Sequence, residues 1–232
     1  MKGAFFLEII DLTGEIKTGM WHYEAPFPEF SLQPLPEVPW VKGRVYCEIF
    51  QGLNSQTGTY LETPAHYFGN DNCYLLADVP VKNLVNLACR VLMLPENAFA
   101  GSQRTPVTLP MLLSAAAGNQ PLPGEALLIG TGWGKNWDTA DYLSRSPYFT
   151  REAMDWLIAQ KPFLLGSDIP RWESFEHPQG FFESFYRANI LMLAPCVNLE
   201  QAGSGFFRLT ALPLHIPGTS CAPCRAVLCR EN

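Results

Sequence analysis

The sequence predicts a mixed α/β fold in one domain spanning residues 1–232. Three observations carry that prediction. The 232 residues are 47% hydrophobic and only 16% charged, ample for a sizeable core. Short apolar runs rich in β-branched and aromatic side chains recur between Pro and Gly punctuation. Two longer segments between those runs carry helical apolar spacing.

Taken in order, "FFLEIIDLT" reads as a buried strand. The following "WHYEAPFPEFSLQPLPEVPW" is too proline-dense for regular structure. It reads as a loop able to fold over a pocket, carrying Trp21, His22, Tyr23 and Phe27. "RVYCEIF" is a strand leading into "QTGTYLETPAH". "CRVLMLP" and "EALLIGTGW" are further strands, and between them "TPVTLPMLLSAAAG" has helical spacing and ends at Gly118, a plausible C′ position. "SPYFTREAMDWLIAQ" is a clearer helix, with Thr150 as N-cap, Glu152 in the first turn and Met154, Leu157 and Ile158 on the buried face. "KPFLLGSD" is a strand ending at Asp168, and "FFRLTALPLHI" with "CRAVLC" forms a strand pair in which His215 is an ordinary strand residue.

Lys plus Arg is 16 against 22 Asp plus Glu, a net charge of −6, which argues against nucleic acid or an anionic membrane as partner. No apolar run reaches the roughly 18 residues of a membrane span, and Glu8 and Asp11 arrive too early for a signal peptide. The expected location is the cytoplasm and the expected partner a small molecule. The seven cysteines are scattered, which suggests reduced and mostly buried thiols. The CxxC of Cys221 and Cys224 interrupts two strand-like runs, so a hairpin turn is expected there rather than a redox or metal site.

Chemistry concentrates in "QTGTYLETPAH". A turn at Gly58 and a helix started by Thr63 and Pro64 would let Gln56, Tyr60, Glu62 and His66 converge. On an extended backbone Tyr60 and Glu62 share a face. A histidine beside a carboxylate suits general acid–base work, and a tyrosine hydroxyl can donate to a developing oxyanion. The alternative for each residue is structural, with His66 satisfying a carbonyl and Tyr60 packing in the core.

This stretch resembles the His-x-Gly-Thr-His-x-Asp-x-Pro-x-His motif of the cyclase / kynurenine formamidase-like metal-dependent hydrolases. "IIDLTGEIKTGMWHY", "LLIGTGWGKNW", "LLGSDIP" and "LTALPLHIPGTSCAPCRAVL" are similar to that family's other landmarks, in the family's order along nearly the whole chain. The resemblance implies a swivelling β/β/α domain that assembles as a dimer or larger homo-oligomer, such as a tetramer. In the family the first two motif histidines and the aspartate hold zinc or manganese, and the last histidine transfers protons. Those positions read here Gln56, Tyr60, Glu62 and His66. The family's further His and Glu ligands fall at Phe182 or Glu183 and at Ala194. Tight zinc binding needs about three good ligands, so the expectation is an enzyme working without metal. His66 and Glu62 would be its acid–base pair, Tyr60 and Gln56 would hold a carbonyl oxygen, and Trp21, Tyr23, Phe27, Trp133 and Trp172 would cover a flat substrate. Asp168 and Glu183 are added as pocket residues, although for Asp168 a cap on the loop after its strand is the simpler reading. Without an activated water, cyclisation, dehydration or isomerisation fits better than hydrolysis. Two alternatives stand beside this: a metal-dependent arylformamidase-type amidohydrolase with zinc or manganese held by Glu62, His66 and either His177 or Glu183, and an inactive small-molecule-binding pseudoenzyme.

Overall fold

In the computed structural model, residues 7–43, 46–101 and 103–231 are described. The strands are β1 (Leu7–Asp11), β2 (Ser31–Pro34), β3 (Glu48–Gln51), β4 (Tyr60–Glu62), β5 (Leu87–Met93), β6 (Pro106–Val107), β7 (Ala126–Gly130), β8 (Tyr148–Phe149), β9 (Leu164–Ser167), β10 (Leu191–Ala194), β11 (Gly205–Pro213) and β12 (Cys221–Glu231). The helices are α1 (Ala65–Phe68), α2 (Leu109–Ala116), α3 (Arg151–Ala159), α4 (Phe182–Arg187) and α5 (Leu199–Ala202). None of the helices is long and apolar enough to cross a membrane.

The main sheet runs β1-β12-β11-β5-β7-β9-β10-β4, and β4 pairs back onto β12. All its strands but β1 therefore form a closed ring. The length of β12 permits this closure. Its first residues, Cys221 to Pro223, pair with β4, and its far half from Val227 pairs with β1. Strands β5, β7, β9 and β10 are parallel neighbours, and every residue of β7, β9 and β10 is buried, as expected where both faces are covered. Alternate side chains divide between two cores. Val91, Leu128, Leu164 and Leu193 point into the ring, whereas Leu92, Leu127, Ile129 and Leu165 pack against α2, α3 and α4.

Helix α3 begins as its sequence indicates, with the Thr150 hydroxyl accepting from the Ala153 amide and Met154 and Leu157 buried. Gly118 follows α2 in the left-handed region at φ +74°. The strand over residues 5–13 is observed as β1, with Phe5 and Phe6 outside the described residues, as are residues 44 and 45 of the next predicted strand. Four local expectations are corrected. The proline-dense segment contains β2, which pairs with β3 in a separate ribbon, because Pro34 occupies an edge where no ladder donor is needed. Cys221 and Cys224 lie inside β12 as buried free thiols, and the turn comes earlier, before Cys221. His215 is exposed beyond the end of β11. Thr63 does not cap α1: the N-cap position falls at Pro64 with no side-chain cap bond, and the Thr63 hydroxyl donates to the Tyr74 carbonyl.

Candidate active site

Strand β4 positions the centre of the site. It is flanked by β10 and β12, so Tyr60 and Glu62 project from one face of a fully buried strand into a cavity of about 490 Å³. The chain reaches β4 through Gly58 at φ +73°, where a Cβ would lie 2.8 Å from Ile16 Cγ1. Only glycine allows that turn at such close range. Beyond Glu62 the Thr63-Pro64 step starts α1 and brings His66 to the cavity mouth, its side chain 38% exposed.

Glu62 is the hub. Its Oε1 accepts the hydroxyl of Tyr186 from α4. Its Oε2 accepts from Gln56 Nε2 at 3.3 Å and lies 3.8 Å from His66 Nε2. A carboxylate can only accept, so Gln56 must turn its amide nitrogen this way, and the same nitrogen lies 3.5 Å from His66 Nε2. Burial pushes the Glu62 carboxyl above the ordinary range, opposed chiefly by His66 and then by the Tyr186 bond. Burial also raises the phenols of Tyr60 and Tyr186 well above theirs, so both remain protonated. A buried carboxylate coupled to a half-exposed imidazole can remove a proton and pass it to solvent.

Aromatic rings form the walls. Tyr186 stacks between Tyr67, at 5.6 Å, and Phe182, at 6.0 Å, while Tyr23, Phe27 and Trp172 close other sides. Arg171 stands at the rim with its side chain only 9% exposed, ion-paired to Glu24 and packed over the rings of Tyr23 and Phe175.

Gln56, Tyr60, Glu62, His66, Tyr23, Phe27 and Trp172 thus meet around one cavity. Other anticipated residues lie elsewhere. Trp21 is one layer back, packed edge-on against Tyr23 and against Trp137. Trp133 is buried with its indole N–H on the Tyr142 carbonyl. Asp168 is fully buried beneath the loop after β7, accepting from the Thr131 amide and hydroxyl, so the loop clasp and not the cavity is its place. Glu183 points away and pairs with Arg187 at 2.8 Å. His177 borders a separate polar crevice beside Arg104. Sequence reasoning missed Tyr186 and Arg171. Phe182 and Tyr186, four apart on α4, were a usable signal for one aromatic face.

The donor set does not fit a zinc or manganese ion. Gln56 presents nitrogen, Tyr60 is a protonated phenol, and one oxygen of Glu62 is occupied by Tyr186. Ala194 is the β10 partner directly opposite Tyr60 and offers no ligand atom. Among the described residues no three His, Cys, Asp or Glu side chains are grouped to hold an ion.

A closed mixed sheet with the site on an inner strand defines a cyclase-type hydrolase fold. A family model described as "Putative cyclase" matches residues 10–174, and the chain belongs to that family. Among solved structures, an isatin hydrolase bound to the product analogue thioisatinate is similar over 97% of this chain and 93% of its own, with TM-score 0.80 and 19% identity. Isatin hydrolase A from Ralstonia solanacearum is similar over 97% and 92%, with TM-score 0.78 and 18% identity. A potential metal-dependent hydrolase with cyclase activity is similar over 97% and 100%, with TM-score 0.71 and 18% identity. Likeness at these identities is one of fold. No curated protein matches the chain.

Proposed function

We propose that this chain is a metal-independent enzyme of the Cyclase family that moves a proton on a small, flat, aromatic or carbonyl-containing substrate. The carrying observation is the buried Glu62, held by Tyr186 and Gln56 and 3.8 Å from the half-exposed His66. Glu62 takes a proton from the bound substrate, and His66 relays it to and from solvent at the mouth. Gln56 spans the two groups and keeps their geometry, while Tyr67, Phe182 and Trp172 hold a flat ring and exclude water. Isomerisation needs only this removal and the proton's return to another atom. In dehydration the proton returned by His66 goes to the leaving hydroxyl, which departs as water, and in cyclisation to the carbonyl oxygen that is attacked. The protein works in the cytoplasm as a homo-oligomer, dimer or tetramer. Exposed Leu32, Leu35, Trp40, Val41, Ile49 and Phe50, on and beside the β2–β3 ribbon, support an apolar contact between copies.

The test is a turnover screen on small aromatic carbonyl compounds able to isomerise, dehydrate or cyclise, with isatin hydrolysis as the contrary arm and metal content measured on the same sample. His66→Asn and Glu62→Gln should each lower kcat by roughly 100-fold or more, the usual weight of general acid–base catalysis. Chelation should leave the wild-type rate unchanged. Turnover that vanishes on chelation and returns with zinc or manganese would sink the proposal, as would full activity in His66→Asn.

A further inference from the structure

One backbone carbonyl sets the direction of the hydrogen bonds on the cavity floor. Tyr23 Oη lies 2.7 Å from the Pro170 carbonyl oxygen, which can only accept, so the single proton of Tyr23 is committed there. Tyr60 Oη lies 3.1 Å from Tyr23 Oη, and with Tyr23's proton engaged Tyr60 must be the donor of that bond. Tyr60, only 4% exposed, therefore has no proton left for a ligand and offers lone pairs. The neighbouring protons are committed as well, that of Tyr186 to Glu62 Oε1 and one amide proton of Gln56 to Oε2. Tyr60 and Glu62 thus present lone pairs to the cavity, while its remaining donors, the second amide proton of Gln56 and the unpartnered N–H groups of Arg171 and Trp172, belong to other lining residues, and Tyr60 is not the oxyanion donor that its residue type suggests.

We infer that the cavity selects substrates presenting an N–H or O–H donor, of the lactam, cyclic-amide or phenol kind, to Tyr60 Oη and the Glu62 carboxylate. This rests on the proposed catalytic reading and specifies the substrate class for it. An acceptor site left unmatched by an analogue lacking the donor discriminates strongly, because its buried lone pairs lose water and gain no partner. The donated proton is also the one Glu62 is placed to remove: the N–H or O–H bond breaks, the proton goes to the carboxylate, and the electron pair stays on the substrate atom. Tyr23 is a positioning residue that fixes the polarity of Tyr60. Burial holds the Tyr23 phenol far above its ordinary range, as it does Tyr60, so the polarity is unchanged across physiological pH.

The experiment is calorimetric titration of the full chain with 2-oxindole against N-methyl-2-oxindole, and 2-naphthol against 2-methoxynaphthalene. The donor member of each pair should bind roughly tenfold tighter or more. In Tyr60→Phe the preference should shrink by about threefold or more, the remainder being held by Glu62, which separates hydrogen bonding to Tyr60 from the bulk of the methyl group. In Tyr23→Phe the Tyr60 proton is released to the ligand, and the preference should move toward the methylated, acceptor-only member. Equal or tighter binding of the methylated members to wild type would overturn the inference. So would a preference undiminished in Tyr60→Phe, or a failure of both donor members to bind at millimolar concentration. The wild-type ratio decides the matter even if a variant does not fold. Turnover is not read here, so an active His66→Asn enzyme would remove the catalytic reading without altering this ratio.

Discussion

Tyr186→Phe removes one hydroxyl and almost no volume, and it isolates the bond that holds Glu62 from α4. A hydrogen bond to a charged group contributes about 1.5–3 kcal/mol, against about 1 kcal/mol for a neutral pair. The loss should therefore depend on the ionisation of Glu62. Burial raises the folded pKa of Glu62, so its contribution to stability is fully present below the unfolded carboxylate range and is lost as pH rises through the folded pKa. The Tyr186 bond favours the charged form, and removing it pushes the folded pKa further up. Near pH 4, where Glu62 is protonated, the variant should lie about 1 kcal/mol below wild type. Near pH 8 the gap should widen to about 2–3 kcal/mol, or roughly 5 °C in Tm for a chain of this size. Urea denaturation of both proteins at the two pH values measures it, and the alkaline rise of activity should move upward in the variant. A gap under roughly 0.5 kcal/mol at pH 8, or one equal at both pH values, would refute the role given to Tyr186.

Burial pushes Asp168 up to about 6, so the folded protein holds a proton that the unfolded chain has released between about pH 4 and pH 6. Stability should fall by roughly 3 kcal/mol as pH rises across that window, and Asp168→Asn, followed by chemical denaturation, should flatten the slope. Arg104 donates to the carbonyls of Ser146, Arg171 and Glu173, tying the cavity rim to the loop before β8. Arg104→Leu should raise KM about tenfold while changing kcat less, read from steady-state kinetics on a substrate found in the turnover screen. Gly52 has φ +72° and a Cβ there would lie 2.0 Å from the Glu29 carbonyl oxygen, whereas at Gly118, φ +74°, it would meet nothing within 4 Å. In urea melts Gly52→Ala should cost about 3 kcal/mol or more and Gly118→Ala about 1 kcal/mol.

Much of the architecture was legible because its signals are local. The apolar run of β7, the Thr150 cap with the Met154 and Leu157 stripe of α3, and the β11–β12 pair each announce themselves within a short window. The regional likeness of the motifs carried the family as well. Where local signals misled, a longer-range partner decided the outcome. β2 forms despite its prolines because β3 completes its ladder, and the Thr63 hydroxyl is tied to the Tyr74 carbonyl, eleven residues on, while the N-cap of α1 falls one residue later, at Pro64.

For the site, residues 56–66 already contained Gln56, Tyr60, Glu62 and His66, since a glycine turn and a three-residue strand confine them to one small volume. Their chemical character was not contained there. Glu62 acquires its raised pKa from burial among distant strands, and its firmest partner, Tyr186, lies 124 positions along the chain. The direction of the Tyr60 hydrogen bond depends on a carbonyl at Pro170, brought close only when the sheet closes. Composition and spacing can state which groups a short segment holds. Desolvation and donor direction belong to whatever surrounds those groups, and that is assembled from the whole chain.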